Sequence, residues 1–213
     1  MLYRLLLFFF CLISGFLSAQ KEAIPQRFKA GIIAGFTTAQ IDGDDSAGFH
    51  KFGLVGGLRG VTIINENMEV SLEMLFSQRG SRSVSSENVV PFKINLNYIE
   101  VPVLFNYLDW LEGDGEYYKL HFHAGLSYGR LISFEIDDGS TNSALVRLGN
   151  FFRDNDLNWV LGATFYANKH LGITARYSRS LFPIFEPDDS DPNRPNADPL
   201  TGYYFTFHTV YMF

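Results

Sequence analysis

The residues with chemistry to offer are few. His121 and His123 stand two apart, so in an extended strand both imidazoles reach the same face, which is half of a zinc site. No HxxxH, second HxH or acidic partner at a definable spacing accompanies them, so a polar strand position is the stronger reading and no metal or cofactor is assigned. Two acidic runs, Asp42-Gly43-Asp44-Asp45 and Glu186 to Asp198, carry carboxylates that suit Ca²⁺. The first has Ala47 and Gly53 where an EF-hand loop needs Gly and Glu, and solvated loops account for both runs. Ser178 and His208 supply a hydroxyl and a base on inward-facing strand positions, but nothing brings them together or provides an orienting acid, so no catalytic residue is assigned and the chain does not read as an enzyme.

What remains is a set of charged residues spaced along alternating segments. Lys29, Gly31, Ile33 and Gly35 alternate with Phe28, Ala30, Ile32, Ala34 and Phe36, the period of a strand with one apolar face. Further segments set Arg59 against Phe52, Leu54 and Leu58, and Glu69 and Glu73 against Met68, Val70, Leu72, Met74 and Phe76. Glu100 opposes Ile99, Val101, Val103, Phe105 and Tyr107, in a strand where Pro102 predicts a bulge or a locally open pairing. Lys119, His121 and His123 oppose Leu120, Phe122, Ala124, Leu126 and Tyr128; Leu157 to Phe165 form a sixth segment, and Arg176 opposes Leu171, Ile173, Ala175 and Tyr177 in a seventh. The eighth ends the chain, with Tyr203, Phe205, Phe207, Thr209, Tyr211 and Phe213 on one face and His208 on the other.

The connections alternate in length. Asn65-Glu66-Asn67, Asp109 to Glu116 and Ala167-Asn168-Lys169 are short; Asp42 to His50, Gly80 to Pro91, Glu135 to Asn155 and Phe182 to Leu200 are long. Eight such strands predict an all-β fold, an antiparallel up-and-down transmembrane β-barrel with long extracellular loops and short periplasmic turns. A soluble lipocalin-like ligand-binding barrel is the alternative, with the apolar face turned inward. The polar face favours the membrane form, because its charges stand among many Gly, Ser and Thr, as in a packed lumen. Aromatics near strand ends, Phe28, Phe36, Phe76, Tyr107, Trp110, Tyr117 and Tyr128, suit interface girdles. An eight-stranded barrel is just wide enough for side chains to fill, so an open pore is not expected. Arg59, Glu69, Glu73, Glu100, Lys119, His121, Arg176 and His208 are then expected to form a lumen polar network, with the three glutamates paired to Arg59, Lys119 and Arg176.

Composition bounds the partners. The chain has 213 residues, 46% hydrophobic and 19% charged, so it can bury a large apolar surface. Its formal charge of -6 gives nucleic-acid binding no electrostatic basis. Residues 1–19 read as a signal peptide: Arg4, an apolar run from Leu5 to Leu17, and Ser18-Ala19 before Gln20, leaving 20–213 as one barrel domain. The single cysteine, Cys11, lies inside that run, so the mature chain has no thiol chemistry.

Several stretches carry a family resemblance. Leu96-Asn97-Tyr98-Ile99-Glu100-Val101-Pro102-Val103-Leu104, the preceding Ser77-Gln78-Arg79-Gly80, Leu161-Gly162-Ala163 and the terminal Tyr211-Met212-Phe213 resemble the PorT-like outer-membrane β-barrel proteins of Bacteroidota. The resemblance implies an outer-membrane location, a lipid-bilayer environment, and insertion by the barrel-assembly machinery through an aromatic C-terminal signal formed by Phe207, Tyr211 and Phe213. It also implies an accessory or structural envelope role, with a possible link to protein secretion or assembly and another envelope protein as partner. An outer-membrane enzyme acting on lipid or peptide is the alternative of a different class. If the N-terminal reading holds, mass spectrometry of the mature protein finds Gln20 at its start; retention of Met1 refutes it.

Overall fold

The computed structural model describes residues 27–42, 51–82, 93–113, 117–137, 152–185 and 200–213. The signal-like segment with Cys11, and residues 43–45 and 186–198 of the acidic runs, lie outside the described residues. Eight strands follow in chain order: β1 Phe28–Asp42, β2 Lys51–Asn65, β3 Met68–Arg82, β4 Lys93–Leu111, β5 Tyr118–Asp137, β6 Asn155–Tyr166, β7 Leu171–Ser180 and β8 Thr201–Met212. Each pairs antiparallel with the next, and β1 pairs with β8 from Gly31↔Met212 to Asp42↔Thr201, which closes the barrel. Closure leaves no edge strand, so every strand finds ladder partners on both sides. Even β7, with 10 residues, extends about 33 Å, enough at a tilt of about 40° to cross an apolar band about 25 Å tall.

The direction of the side chains decides between the two kinds of barrel. Leu54 is 65% exposed and Met74 56%, whereas Arg59 is 2% and Glu73 1% exposed. Apolar residues thus form the outer face and charged residues the inner one, the sense required in lipid and opposite to a soluble ligand barrel. Phe28, Phe36, Phe76, Tyr107, Trp110 and Tyr128 all lie on the outer face. Tyr117 is the exception: it packs against the buried cluster of Ile33, Val61, Tyr166 and Met212 inside the barrel.

The sequence irregularities appear as local features of the sheet. The β3–β4 ladder runs to Leu72↔Val103 and resumes at Leu75↔Glu100 without a register shift, so the pairing is open beside Pro102, which has no N–H to offer. The β4–β5 ladder steps from Asn97↔Ser133 to Tyr98↔Leu131, which leaves Ile132 as an extra residue bulged out of β5. β4 also runs further than its apolar alternation predicts, through Asp109 and Trp110 to Leu111. Trp110 has φ of 59°, with its backbone N–H donating to Asp109 Oδ1 at 2.7 Å, which places a left-handed residue one position before the end of the strand.

The long-loop end is capped from within. Phe152, Ile184 and Phe185 pack with Leu96 and Tyr98, and Phe185 makes isolated bridges to Phe152 and Leu200. Near this end Gly80, at φ of 138°, lets β3 pass so close to β4 that an added Cβ would lie 1.9 Å from the carbonyl oxygen of Ile94. Gly80→Ala is therefore expected to cost about 1–3 kcal/mol, read as a lower urea midpoint of the refolded barrel in liposomes; an unchanged midpoint refutes the strain.

A charged lumen as the candidate functional site

Three groups of ion pairs cross the barrel interior, one above another. Nearest the loop end, Arg79 on β3 lies between the rings of Tyr98 and Tyr204, at 4.6 and 4.0 Å from their centroids. Its Nε donates to Glu100 Oε1 at 2.8 Å and its Nη1 to Asp156 Oδ2 at 2.6 Å. Glu100 Oε2 accepts from Tyr204 Oη at 3.0 Å, and Asp156 Oδ2 accepts from Asn158 Nδ2 at 2.7 Å. One guanidinium thereby ties together β3, β4, β6 and β8.

The middle group centres on Glu73. Arg176 holds it as a fork, Nη1 to Oε2 at 2.8 Å and Nη2 to Oε1 at 3.1 Å. Arg59 Nη1 lies 3.7 Å from the same carboxylate, while its Nη2 donates to Asn106 Oδ1 at 3.2 Å. Arg176 Nε reaches His123 Nε2 at 3.3 Å; since the guanidinium only donates, that imidazole nitrogen is the acceptor. His208 is buried in the same lumen, and among the described residues neither ring nitrogen has a hydrogen-bond partner.

Nearest the turns, Lys29 Nζ meets Glu69 Oε1 at 3.2 Å, and Glu69 Oε2 faces His121 Nδ1 at 3.9 Å. Within these three groups four cations, Lys29, Arg59, Arg79 and Arg176, meet four carboxylates, Glu69, Glu73, Glu100 and Asp156, so each of these ions has an opposite charge where an unpaired one is costly. Lys119 takes another partner. It pairs with Glu112 at the turn end and lies over the Trp110 ring at 5.6 Å, so no lumen glutamate depends on it.

Arg79, Asp156, Lys29 and Tyr204 are the members that sequence reasoning leaves out. Arg79 continues the series Glu69, Ser71, Glu73, Leu75, Ser77, so carrying the period of β3 two residues further finds it. Asp156 and Asn158 fill the face opposite Leu157 and Trp159 on β6. His121 and His123 serve different groups, and the described residues contain no cluster of three His, Cys, Asp or Glu fit to hold a metal ion. Ser178 stands opposite Tyr204 and His208 opposite Thr174, four positions apart along the strands, or about 13 Å. Phe207, Tyr211 and Phe213 point outward on the last strand, with Phe213 N donating to the carbonyl oxygen of Ala30 at 2.8 Å.

Residues 18–186 match the family of outer membrane protein beta-barrel domains. The chain belongs to that family. Its place is accordingly the outer membrane, with the apolar outer face in the lipid bilayer. Among solved structures it is similar to Ail, the attachment invasion locus protein of Yersinia pestis, at 12% identity over 88% of this chain and 99% of that one, with a TM-score of 0.45. It is similar to OprG of Pseudomonas aeruginosa at 13% identity, 88% and 97% coverage and a TM-score of 0.45. For the Neisserial surface protein NspA the figures are 10%, 87% and 97%, and 0.48. Among curated proteins none matches the chain.

For this outer-membrane barrel the ion pairs make a direct prediction. Arg79→Ala leaves Glu100 and Asp156 buried without their cation, and Arg176→Ala does the same to much of Glu73; each is expected to cost about 3–5 kcal/mol. Urea unfolding of the two variants should show clearly lower midpoints, while Lys119→Ala, at the exposed turn end, leaves the midpoint unchanged. Equal midpoints for all three would refute the assignment of stability to the lumen.

Proposed function

We propose that the protein is a non-conducting accessory component of the outer membrane, which presents its loops or turns to another envelope protein. The observation that carries this reading is the obstructed lumen. Ion pairs cross it at three levels, Phe152, Ile184 and Phe185 cover the loop end, and the cavities beside Arg79 and beside Arg176 are only about 10 Å³, room for a single water. A barrel closed in this way offers surfaces more readily than it offers a path. The PorT-like stretches around Glu100 and at the C-terminus support a role beside the secretion or assembly machinery of a Bacteroidota envelope. The outward aromatic face of the last strand, Phe207, Tyr211 and Phe213, supports its reading as the signal taken by the barrel-assembly machinery.

Three measurements test the proposal. Planar-bilayer recordings of the purified protein should show no sustained conductance, and mild-detergent capture from native outer membranes should bring down one envelope protein in stoichiometric amount. Removal of Phe213 should lower the quantity of folded barrel recovered. A steady open channel, or a barrel that is always recovered alone, overturns the accessory reading.

A further inference from the structure

The lumen differs at its two ends. The turn end opens into a cavity of about 770 Å³, walled by Val61, Ile63, Leu108 and Tyr166 and reaching Glu69 and His121. That volume lies in the range of small-molecule sites, roughly 300–1,000 Å³, which are mostly apolar with a few convergent polar groups. The two small cavities further up, beside Arg79 and beside Arg176, show how little free space the lumen keeps there. The vestibule is therefore entered from the turn end.

Its polar groups form an incomplete hydrogen-bond arrangement. His121 is 7% exposed, and its Nε2 lies 3.2 Å from the carbonyl oxygen of Tyr118. A carbonyl only accepts, so Nε2 carries the proton of the neutral ring and Nδ1 presents a lone pair. Among the described residues this buried Nδ1 has no hydrogen-bond partner, and 3.9 Å away it faces Glu69 Oε2, also an acceptor. Two acceptors that face each other at this distance call for a bridging group with two donors. Lys29 already neutralises Glu69 through Oε1, so the bridging group needs no charge. The wall carries Lys29 and Lys169 against Glu66 and Glu69, so its formal charge is balanced and favours neither a cation nor an anion.

We propose that this vestibule binds a neutral amphiphile, its apolar chain along Val61, Ile63 and Leu108 and its vicinal-diol head donating one hydroxyl to Glu69 Oε2 and the other to His121 Nδ1. Such a diol comes either from the aqueous side, as a free short-chain diol, or from the membrane, as a monoacylglycerol. The chemistry at the site is the same.

The test uses the full mature barrel in lipid nanodiscs, observed by NMR at the Ile63 methyl and the His121 ring nitrogens. Titration with 1,2-hexanediol in the aqueous phase, and separately with monocaprin in the nanodisc lipid, should shift both signals saturably. Response to the first probe assigns an aqueous source and response to the second alone a membrane source. The donor-free 1,2-dimethoxyhexane should bind about a hundredfold more weakly, the weight of both donated hydrogen bonds. His121→Phe, read at the Ile63 methyl, should weaken the diol about tenfold, the weight of one hydrogen bond. Ile63→Trp, which fills the cavity directly beside Glu69, should abolish the shift at the His121 ring nitrogens even if the His121 variant does not fold. Equal binding of diol and diether, saturable shifts that survive Ile63→Trp, no shift with either diol, or a ring in which Nδ1 already carries a proton at neutral pH would each overturn the proposal.

Discussion

The pairing of β1 with β8 is the constraint on which the rest of the molecule depends. In hydrocarbon an unpaired backbone N–H or C=O costs several kcal/mol, so a sheet survives there only by leaving no edge. Once the eight strands close on themselves, the outer face has to be apolar and the interior has to be narrow. A narrow interior cannot hydrate the charges that the alternating pattern sends into it. Arg59, Arg79 and Arg176 can be there because Glu73, Glu100 and Asp156 meet them from other strands. The ion pairs are thus a consequence of closure, and they also reward it. Glu73 on β3 finds Arg176 on β7, 103 residues away, only across a complete barrel.

The architecture was legible in the sequence because its cause is local. Alternation such as Met68 to Phe76 against Glu69 and Glu73 needs no knowledge of partners, and neither does the difference between Ala167-Asn168-Lys169 and the long connection after Phe182. Pro102 announced its open rung for the same reason, since the missing N–H is a property of one residue. Which charge meets which is set by register around the whole circumference, and that was not legible. Lys119 looked equivalent to Arg176 in pattern, yet its position at the end of β5 lets it reach Glu112 instead. Arg79 looked like a strand end, and its long side chain turned out to serve two carboxylates from different strands.

The two ends of the lumen carry different physics. Toward the loops, aromatic and aliphatic side chains from Phe152, Ile184 and Phe185 turn inward and complete a small hydrophobic core over the Arg79 group. Toward the turns the same wall opens, and Glu69 and His121 lie at the inner end of a space large enough for a ligand. Both ends are built from inward positions of the same strands, so among the described residues the difference comes from side-chain size and from the segments around Phe152 and Phe185 that fold across the loop mouth.

The unequal lengths of the strands give the barrel a slanted crown. β6 begins at Asn155, paired with Arg130, while β5 continues from Leu131 to Asp137 and is matched by β4 back to Lys93. Seven more residues extend about 23 Å, which at a tilt of about 40° is a rise of about 18 Å. The headgroup zone on each side of the hydrocarbon is only about 5–8 Å deep. The β4–β5 ladder, with Asn97 bonded to Ser133 and Asn95 to Glu135 across it, therefore rises above the start of β6 by more than the depth of that zone. Among the described residues the rim is thus higher on the β4–β5 side than over the start of β6, so the mouth of the barrel is not level.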